Sequence, residues 1–248
     1  VTEAFKPIPI RRGSHAIGRT LFALRTLIDL QLLTCTRFLA PHLARFEGTV
    51  LDVGCGEMPF RDLLPAGARY TGIDVAIADD FGMRGSPEIV PFDSRVIPFT
   101  DASFDHVLCT EVLEHAADPA ALVAEIYRVL KPGGTLLATV PFAARVHYAP
   151  HDFHRFTRYR LASLFAGFAA VTVEERGEDL SVIANKLIVV CVRLARLRPP
   201  SGLIWRLPAL AALLPVSAVA LGIAHLSLRF GWGSKMDPLG YGILAQKG

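Results

Sequence analysis

A chain of 248 residues is long enough for one α/β domain with an elaboration. Its net charge of +3 is too small to argue nucleic-acid binding, and a hydrophobic content of 52% is rich for a soluble enzyme, so a membrane-facing region has to be sought. The four cysteines, Cys35, Cys55, Cys109 and Cys191, follow no metal or disulfide spacing and read as small buried residues in a reducing compartment.

Residues 1–14 read as a polar, proline-containing arm, and 15–46 as helix. Leu21, Leu24, Ile28 and Leu32 recur every three or four positions, with Arg19, Arg25 and Asp29 between them. The favoured reading is a helix packed over a sheet; the alternative is a lid or a membrane-surface helix. Arg19 and Arg25 interrupt the first apolar run, which lacks a clear cleavage site, so no secretory leader is expected and a cytoplasmic location is.

Val50–Glu57 is the stretch that organises the chain. An apolar run ends at Asp52, and Gly54 and Gly56 then flank Cys55, the pattern of a buried strand (49–53) entering a tight turn with a helix from about Pro59. Such a turn suits a dinucleotide site, a structural bend or an S-adenosylmethionine (SAM) site. Pro59 stands where the third glycine of G-x-G-x-x-G would fall, which weakens the dinucleotide reading. Arg69–Asp74 is a second strand, and Asp74, 20 residues beyond Gly54, is placed to accept hydrogen bonds from ribose hydroxyls.

Residues 76–87, with Gly82, Gly85 and Pro87, are loop-like, and Glu88–Phe92 is a short strand leading to Asp93. Phe104–Thr110 is a fourth strand, with Glu111–His115 at its C-terminal end. Asp118 caps a helix that Lys131-Pro132-Gly133-Gly134 stops, and Thr135–Val140 is the fifth strand. Strands and helices alternate, which predicts an α/β, doubly wound, mostly parallel sheet. Tyr159–Phe168 reads as helix, Ala170–Glu174 as a sixth strand and Gly240–Ala245 as the last.

Roughly sixty-five residues separate those last two strands, far more than an ordinary connection. From Ser181 to Met236 there are seven Lys or Arg and no acid, and Leu207–Leu228 is long enough to span a bilayer. Pro208, Pro215 and the need to return to the same sheet argue against a single crossing. The preferred reading is an interfacial or re-entrant helical pair, with 182–198 as its other arm, resting on anionic lipid through Arg193, Arg196, Arg198 and Arg206. A cap on the site and an oligomer contact are the alternatives. The expected organisation is an N-terminal arm and helix (1–48), a core (49–180), an apolar basic insertion (181–236) and a last core strand (237–248).

Four segments taken together carry a resemblance: Leu-Asp-Val-Gly-Cys-Gly (51–56), Tyr-Thr-Gly-Ile-Asp (70–74), Ser-Phe-Asp-His-Val-Leu-Cys-Thr-Glu-Val-Leu-Glu-His (103–115) and Leu-Lys-Pro-Gly-Gly-Thr-Leu-Leu (130–137). The chain resembles the class I SAM-dependent methyltransferases, closest to the type 11-like branch, over roughly 49–175. The resemblance implies a Rossmann-like seven-stranded fold and SAM as cofactor. Asp52, Gly54, Cys55 and Gly56 would line its methionine end, Asp74 would take the ribose and Asp93 the adenine amino group, with Thr110, Glu111 and His115 beneath. The departure at Met58 and Pro59 reshapes the methionine contact. The stretch from Val140-Pro141-Phe142 through Pro150–Thr157 is similar to a subgroup found among bacterial surface-glycan and lipid pathways.

Methyl transfer needs alignment and desolvation, and a base where the acceptor loses a proton early. His115, His147, His151 and His154 are the candidates. His151 or His154 as base, with Asp152 orienting the imidazole, is the working hypothesis, and no metal is expected. Arg155 and Arg158 could instead grip an anionic acceptor. The expected acceptor is a small molecule, glycan or lipid-linked compound, with peripheral membrane contact through 181–236, on the inner face, and no nucleic-acid partner; the oligomeric state stays open. The competing readings are an NAD-dependent oxidoreductase and a non-catalytic SAM-binding module at a membrane.

Overall fold

The computed structural model of the chain describes residues 7–10, 16–75, 86–196 and 203–248. Most of the loop expected at 76–87, including Gly82 and Gly85, lies outside them, as do Arg198 and positions 1–6 and 11–14 of the arm. Strand β1 (Thr49–Val53) runs through the middle of the sheet with four of its five residues buried. It pairs in parallel with β2 (Arg69–Val75) on one side and β4 (Phe104–Thr110) on the other. Strand β3 (Ile89–Phe92) extends the sheet beyond β2, and β5 (Leu130–Pro141) beyond β4. Strand β7 (Gly240–Gln246) inserts antiparallel between β5 and β6 (Ala170–Arg176), giving the order β3-β2-β1-β4-β5-β7-β6. This is the doubly wound, mostly parallel architecture the alternation predicts. The order reverses beside β1, so the ends of β1 and β4 form the crevice where such sheets hold ligands.

Helices cover both faces. On one, Leu32, Cys35, Leu39 and Leu43 of α2 (Leu30–Leu43) recur at helical spacing and bury against Val50, Leu108 and Leu137. On the other, Leu122, Ile126 and Val129 of α3 (Pro119–Val129) pack with Leu51, Ile73 and Val107. Asp118 caps α3, its carboxylate accepting the amides of Ala120 and Ala121 at 3.1 and 3.0 Å. A short α4 (Arg158–Leu164) precedes β6.

Two local expectations are corrected. The pattern at 15–46 predicts one helix; the structure divides it into α1 (Ala16–Ile28) and α2. Asp29 makes the break, because its carboxylate accepts the Leu32 amide at 3.1 Å and pairs with Arg25 at 3.3 Å. Helix α2 packs over the sheet, whereas α1 buries Phe22 and exposes Ile17, Leu21, Leu24, Leu27 and Ile28. After the glycine turn, a single 3-10 turn (Arg61–Leu63) stands in place of the helix expected from Pro59. Pro65 explains it: a residue before proline is pushed out of the helical region, and Leu64 is extended at φ −78°, ψ 147°.

The long connection from β6 to β7 folds as two helices, α5 (Asp179–Arg196) and α6 (Leu203–Phe230). Their base is clipped by paired hydrogen bonds, Asp179 N to Ser234 O at 3.0 Å and Ser234 N to Asp179 Oδ1 at 2.9 Å. Helix α6 keeps Pro208 and Pro215 inside it. It contacts α5 where Cys191 Sγ meets Ser217 Oγ at 3.3 Å, and α1 where His225 Nε2 reaches Leu27 O at 2.8 Å.

Candidate functional site

The β1 turn is tight enough that its backbone and its packing require glycine. Gly54 has φ +69°, and a Cβ there would lie 2.4 Å from Val112 Cγ2. Behind the turn, Asp74 accepts the Gly56 amide (2.7 Å) on one carboxylate oxygen and the Val75 amide (2.7 Å) on the other. Burial raises its carboxyl above the usual range, against those hydrogen bonds. Asp52 accepts the Tyr70 hydroxyl at 2.7 Å on Oδ2, while its buried Oδ1 has no partner among the described residues. Burial pushes the Asp52 carboxyl up to about 7, with the Tyr70 hydrogen bond opposing and the Asp74 charge adding.

A cavity of about 550 Å³ opens over this turn. At one end it is lined by Gly54, Cys55, Gly56, Thr110, Glu111 and His115, all expected cofactor residues. Asp52 and Asp74 sit behind that lining. Asp93 lies away from it on the surface, where its Oδ1 accepts the amides of Arg95 and Val96 at 2.9 and 3.0 Å. Toward α1, α2 and α5 the lining is mainly apolar, with Ile10, Ile28, Leu32, Ile188, Val189 and Val192, and Arg25, Asp29, Gln31, Asn185 and Arg196 stand among them.

The end of β4 is strained and charged. Glu111 has φ 55° and its amide donates to Thr139 O at 2.9 Å. Its carboxylate pairs at 2.6 Å with Arg176, a buried guanidinium at the end of β6 that also donates to Tyr241 O and Val140 O at 3.1 Å each. Arg176 has no signal in the sequence, because it stands 65 residues from Glu111 and meets it only through strand order.

The histidines sort differently from the expectation. His147, after β5, and His115 line the cavity, with ring centroids 4.8 Å apart; His151 and His154 do not line it. The His151 side chain is exposed and its carbonyl accepts from His115 Nδ1 at 2.5 Å, while His154 Nε2 is tied to Ala116 O at 3.1 Å. Asp152 orients an imidazole, but it is that of His147: Oδ2 lies 3.2 Å from His147 Nδ1 and accepts the His147 amide at 2.9 Å. Arg155 donates to both Asp152 oxygens, at 2.6 and 2.8 Å, and so does not reach the cavity as a free anion clamp. Arg158 pairs with Glu175 at 2.7 Å. The turn between His147 and Asp152, with Tyr148 at φ 54° and the His151 amide bonded to Tyr148 O at 2.9 Å, folds the carboxylate back onto His147.

Beneath these rings lies Glu114, fully buried, with neither carboxylate oxygen hydrogen-bonded among the described residues. Its Oε1 is 3.6 Å from His115 Nε2 and 4.0 Å from His147 Nε2. Burial drives its carboxyl well up, and the Glu111 charge adds to this. Burial also pulls His115 down to about 4, with its hydrogen bond to His151 O opposing.

Comparison with known proteins follows from this geometry. Residues 51–138 match the model of a methyltransferase domain family, Methyltransf_11. A ubiquinone biosynthesis O-methyltransferase of Paracidovorax citrulli is 41% identical over 103 residues, covering 37% of this chain and 43% of that protein. Cycloartenol-C-24-methyltransferase 1 of Oryza sativa is 35% identical over 127 residues, 46% of this chain and 37% of that protein. The chain thus spans less than half the length of these curated relatives. A SAM-dependent methyltransferase from Archaeoglobus fulgidus superposes with a TM-score of 0.53 at 19% identity, over 92% of this chain and 99% of that one. The [4+2]-cyclase SpnF superposes with a TM-score of 0.54 at 23% identity, over 88% and 82%. These two share the fold.

Proposed function

We propose that this chain, which carries a class I SAM-dependent methyltransferase domain over residues 51–138, moves the methyl group of SAM to a small amphiphilic acceptor with an apolar tail, at a membrane surface. The observation that carries the reading is the single cavity with two unlike ends. The glycine turn and the end of β4 form one, and a mainly apolar lining from α1, α2 and α5, with a few polar side chains among it, forms the other. A tailed acceptor with a polar head would use both kinds of side chain.

The residues fit the cofactor. Gly54 holds the left-handed turn against Val112 at the mouth of the cavity, and Asp52 Oδ1, without a partner among the described residues, suits an ammonium group, met directly or through water. Asp74 would take the ribose hydroxyls beside the Gly56 amide. Asp93, on the surface away from the cavity, is the one expected cofactor residue that this fit leaves out. Bound there, the cofactor supplies an electrophilic methyl group on sulfur. What this chain's own residues do is align the partners and exclude water: the α5 wall closes over the cavity, and the Glu111–Arg176 pair holds the β4 end rigid.

The membrane reading is supported by α6. Trp205–Phe230 is long and apolar enough to cross a membrane by length and composition, with a mean hydropathy of 2.1, and only 11% of that apolar window is buried. Leu207, Leu214, Val216, Val219, Ile223 and Leu226 are exposed along it. Trp205 with Arg206 stands near one end, and Arg229 with Trp232 at the other, the residue types that settle at headgroup level. Because α5 and α6 leave β6 and return to β7 in the same sheet, the pair lies in the interface rather than crossing singly. The exposed leucines of α1 extend the same apolar surface, since His225 of α6 contacts Leu27.

A second reading is favoured by one observation: a cyclase shares this fold, so the fold alone does not fix methyl transfer. Calorimetry with SAM, S-adenosylhomocysteine and NAD, followed by incubation with labelled SAM and fractionated lipids and small molecules, separates the readings. We expect tight SAM and no NAD binding, loss of SAM binding in Asp74→Ala, and label in the lipid-soluble fraction. Label in water-soluble glycan would overturn the acceptor class, and SAM binding without any transfer would overturn the activity.

A further inference from the structure

We propose that Glu114, His115 and His147 bind one divalent transition-metal cation on the floor of the cavity. Three observations converge. First, a fully buried carboxylate with no hydrogen bond on either oxygen is costly, and a cation between it and the neighbouring rings removes that cost. Second, both imidazoles have their Nδ1 atoms committed elsewhere. His115 Nδ1 donates to His151 O at 2.5 Å, and His147 Nδ1 has Asp152 Oδ2 at 3.2 Å and Arg145 O at 3.1 Å as acceptors. The carbonyl at His115 Nδ1 and the two nearer acceptors at His147 Nδ1, where Arg155 Nη2 stands farther off at 3.5 Å, favour the tautomer that leaves the Nε2 lone pair unprotonated, and both Nε2 atoms lie toward Glu114 Oε1. Third, the three ligand atoms lie within 4.8 Å of one another, so that small side-chain adjustments bring each to the roughly 2.0–2.2 Å that metal–nitrogen and metal–oxygen bonds require.

The supporting shell is what a metal site needs. Asp152 completes a carboxylate–histidine pair behind His147, and Arg155 locks Asp152 from two directions. Two neutral imidazoles and one carboxylate suit Zn²⁺, Fe²⁺, Co²⁺ or Mn²⁺, whereas Mg²⁺ and Ca²⁺ prefer oxygen alone. His115 and His147 face the cavity, so the remaining coordination positions open toward the acceptor. The cation would take an oxygen of the acceptor as a further ligand and orient it. That last role rests on the proposed methyl transfer; metal binding itself does not.

A simpler alternative is a histidine–carboxylate ion pair with no metal. To separate the two, the full chain is stripped with a chelator and titrated with Zn²⁺, Mn²⁺ and Co²⁺ by calorimetry, with visible absorption followed for Co²⁺. We expect one equivalent per chain, a Co²⁺ spectrum of nitrogen and oxygen ligation, and about tenfold to hundredfold weaker binding in Asp152→Asn. Glu114→Gln and His147→Gln should lose stoichiometric binding while SAM calorimetry reports an intact cofactor site. No saturable uptake by the wild-type chain, or uptake unchanged in both substituted chains, would overturn the proposal whether or not methyl transfer is found.

Discussion

The glycine-turn end of the cavity and the α5–α6 connection are made by different means. The turn at 51–56, with its partners at 70–74 and 104–115, is a set of short local patterns whose residue types are each dictated by backbone geometry or by a charge to be met. The stretch from Ser181 to Met236, which holds most of α5 and all of α6, is marked by composition instead: apolar and basic, with no acid. A turn of this kind is set position by position, whereas the contribution of apolar side chains is additive over area.

The comparison can be broken at its additive end with a double substitution, Leu214→Asp with Val219→Asp, on the exposed face of α6. Each removes an apolar side chain worth about 1.5–3 kcal/mol on burial, so liposome partitioning should fall by roughly a hundredfold or more. SAM affinity should not change. Flotation with anionic vesicles measures it, and equal flotation by the wild-type and substituted chains would remove α6 as the docking element.

At the positional end, Gly54→Ala places a methyl group 2.4 Å from Val112 Cγ2 in a left-handed backbone. Misplacement on that scale should cost about 10²-fold in kcat/KM. Steady-state kinetics with a SAM titration checks it, and a KM for SAM within twofold of wild type would show that the turn does not set the cofactor's position.

A smaller effect comes from Asp52, whose carboxyl burial raises from 3.8 to about 7. A raised carboxyl contributes stability that is complete below its unfolded value and is lost as pH rises toward the folded one. Chain stability without cofactor should therefore decline between about pH 4 and pH 7, and Asp52→Asn should flatten that decline, by on the order of a few kcal/mol at pH 8. Since an ammonium group favours the ionised carboxylate, SAM should bind more tightly as pH rises through about 7. Denaturant unfolding and calorimetry across pH 5–8 read both, and a pH-independent SAM affinity would separate Asp52 from the cofactor.

The legible part of the molecule was the part held by near neighbours in sequence. β1, β4 and the cap at Asp118 are visible because a strand's alternation, a glycine turn and an N-cap are local. The turn after β1 carries a helix-like start, and Pro65 ends it from the far side. The pattern at 15–46 is continuous because Asp29 resembles any polar position on an exposed face. Arg176 stays hidden for another reason: it acquires its meaning from Glu111, 65 positions away. The histidines show the limit most clearly. Asp152 lies next to His151 and close to His154 in sequence, yet the turn from 147 to 152 gives its carboxylate to His147.

Strand β7 fills the gap between β5 and β6, so β6 has no neighbour in the sheet until β7 arrives. Everything from Gly177 to Leu239, the whole apolar pair included, is made before that happens. During synthesis the chain therefore exposes its greasiest segment while its sheet is still open on that side. Long-range closure of this kind is slow, because the ends of a long loop must meet before any pairing rewards them. A lipid surface that captured α6 early would shield it from aggregation during that wait and hold the two strand ends near one another. Assembly of the sheet and arrival at the bilayer would then be a single event in the life of the chain.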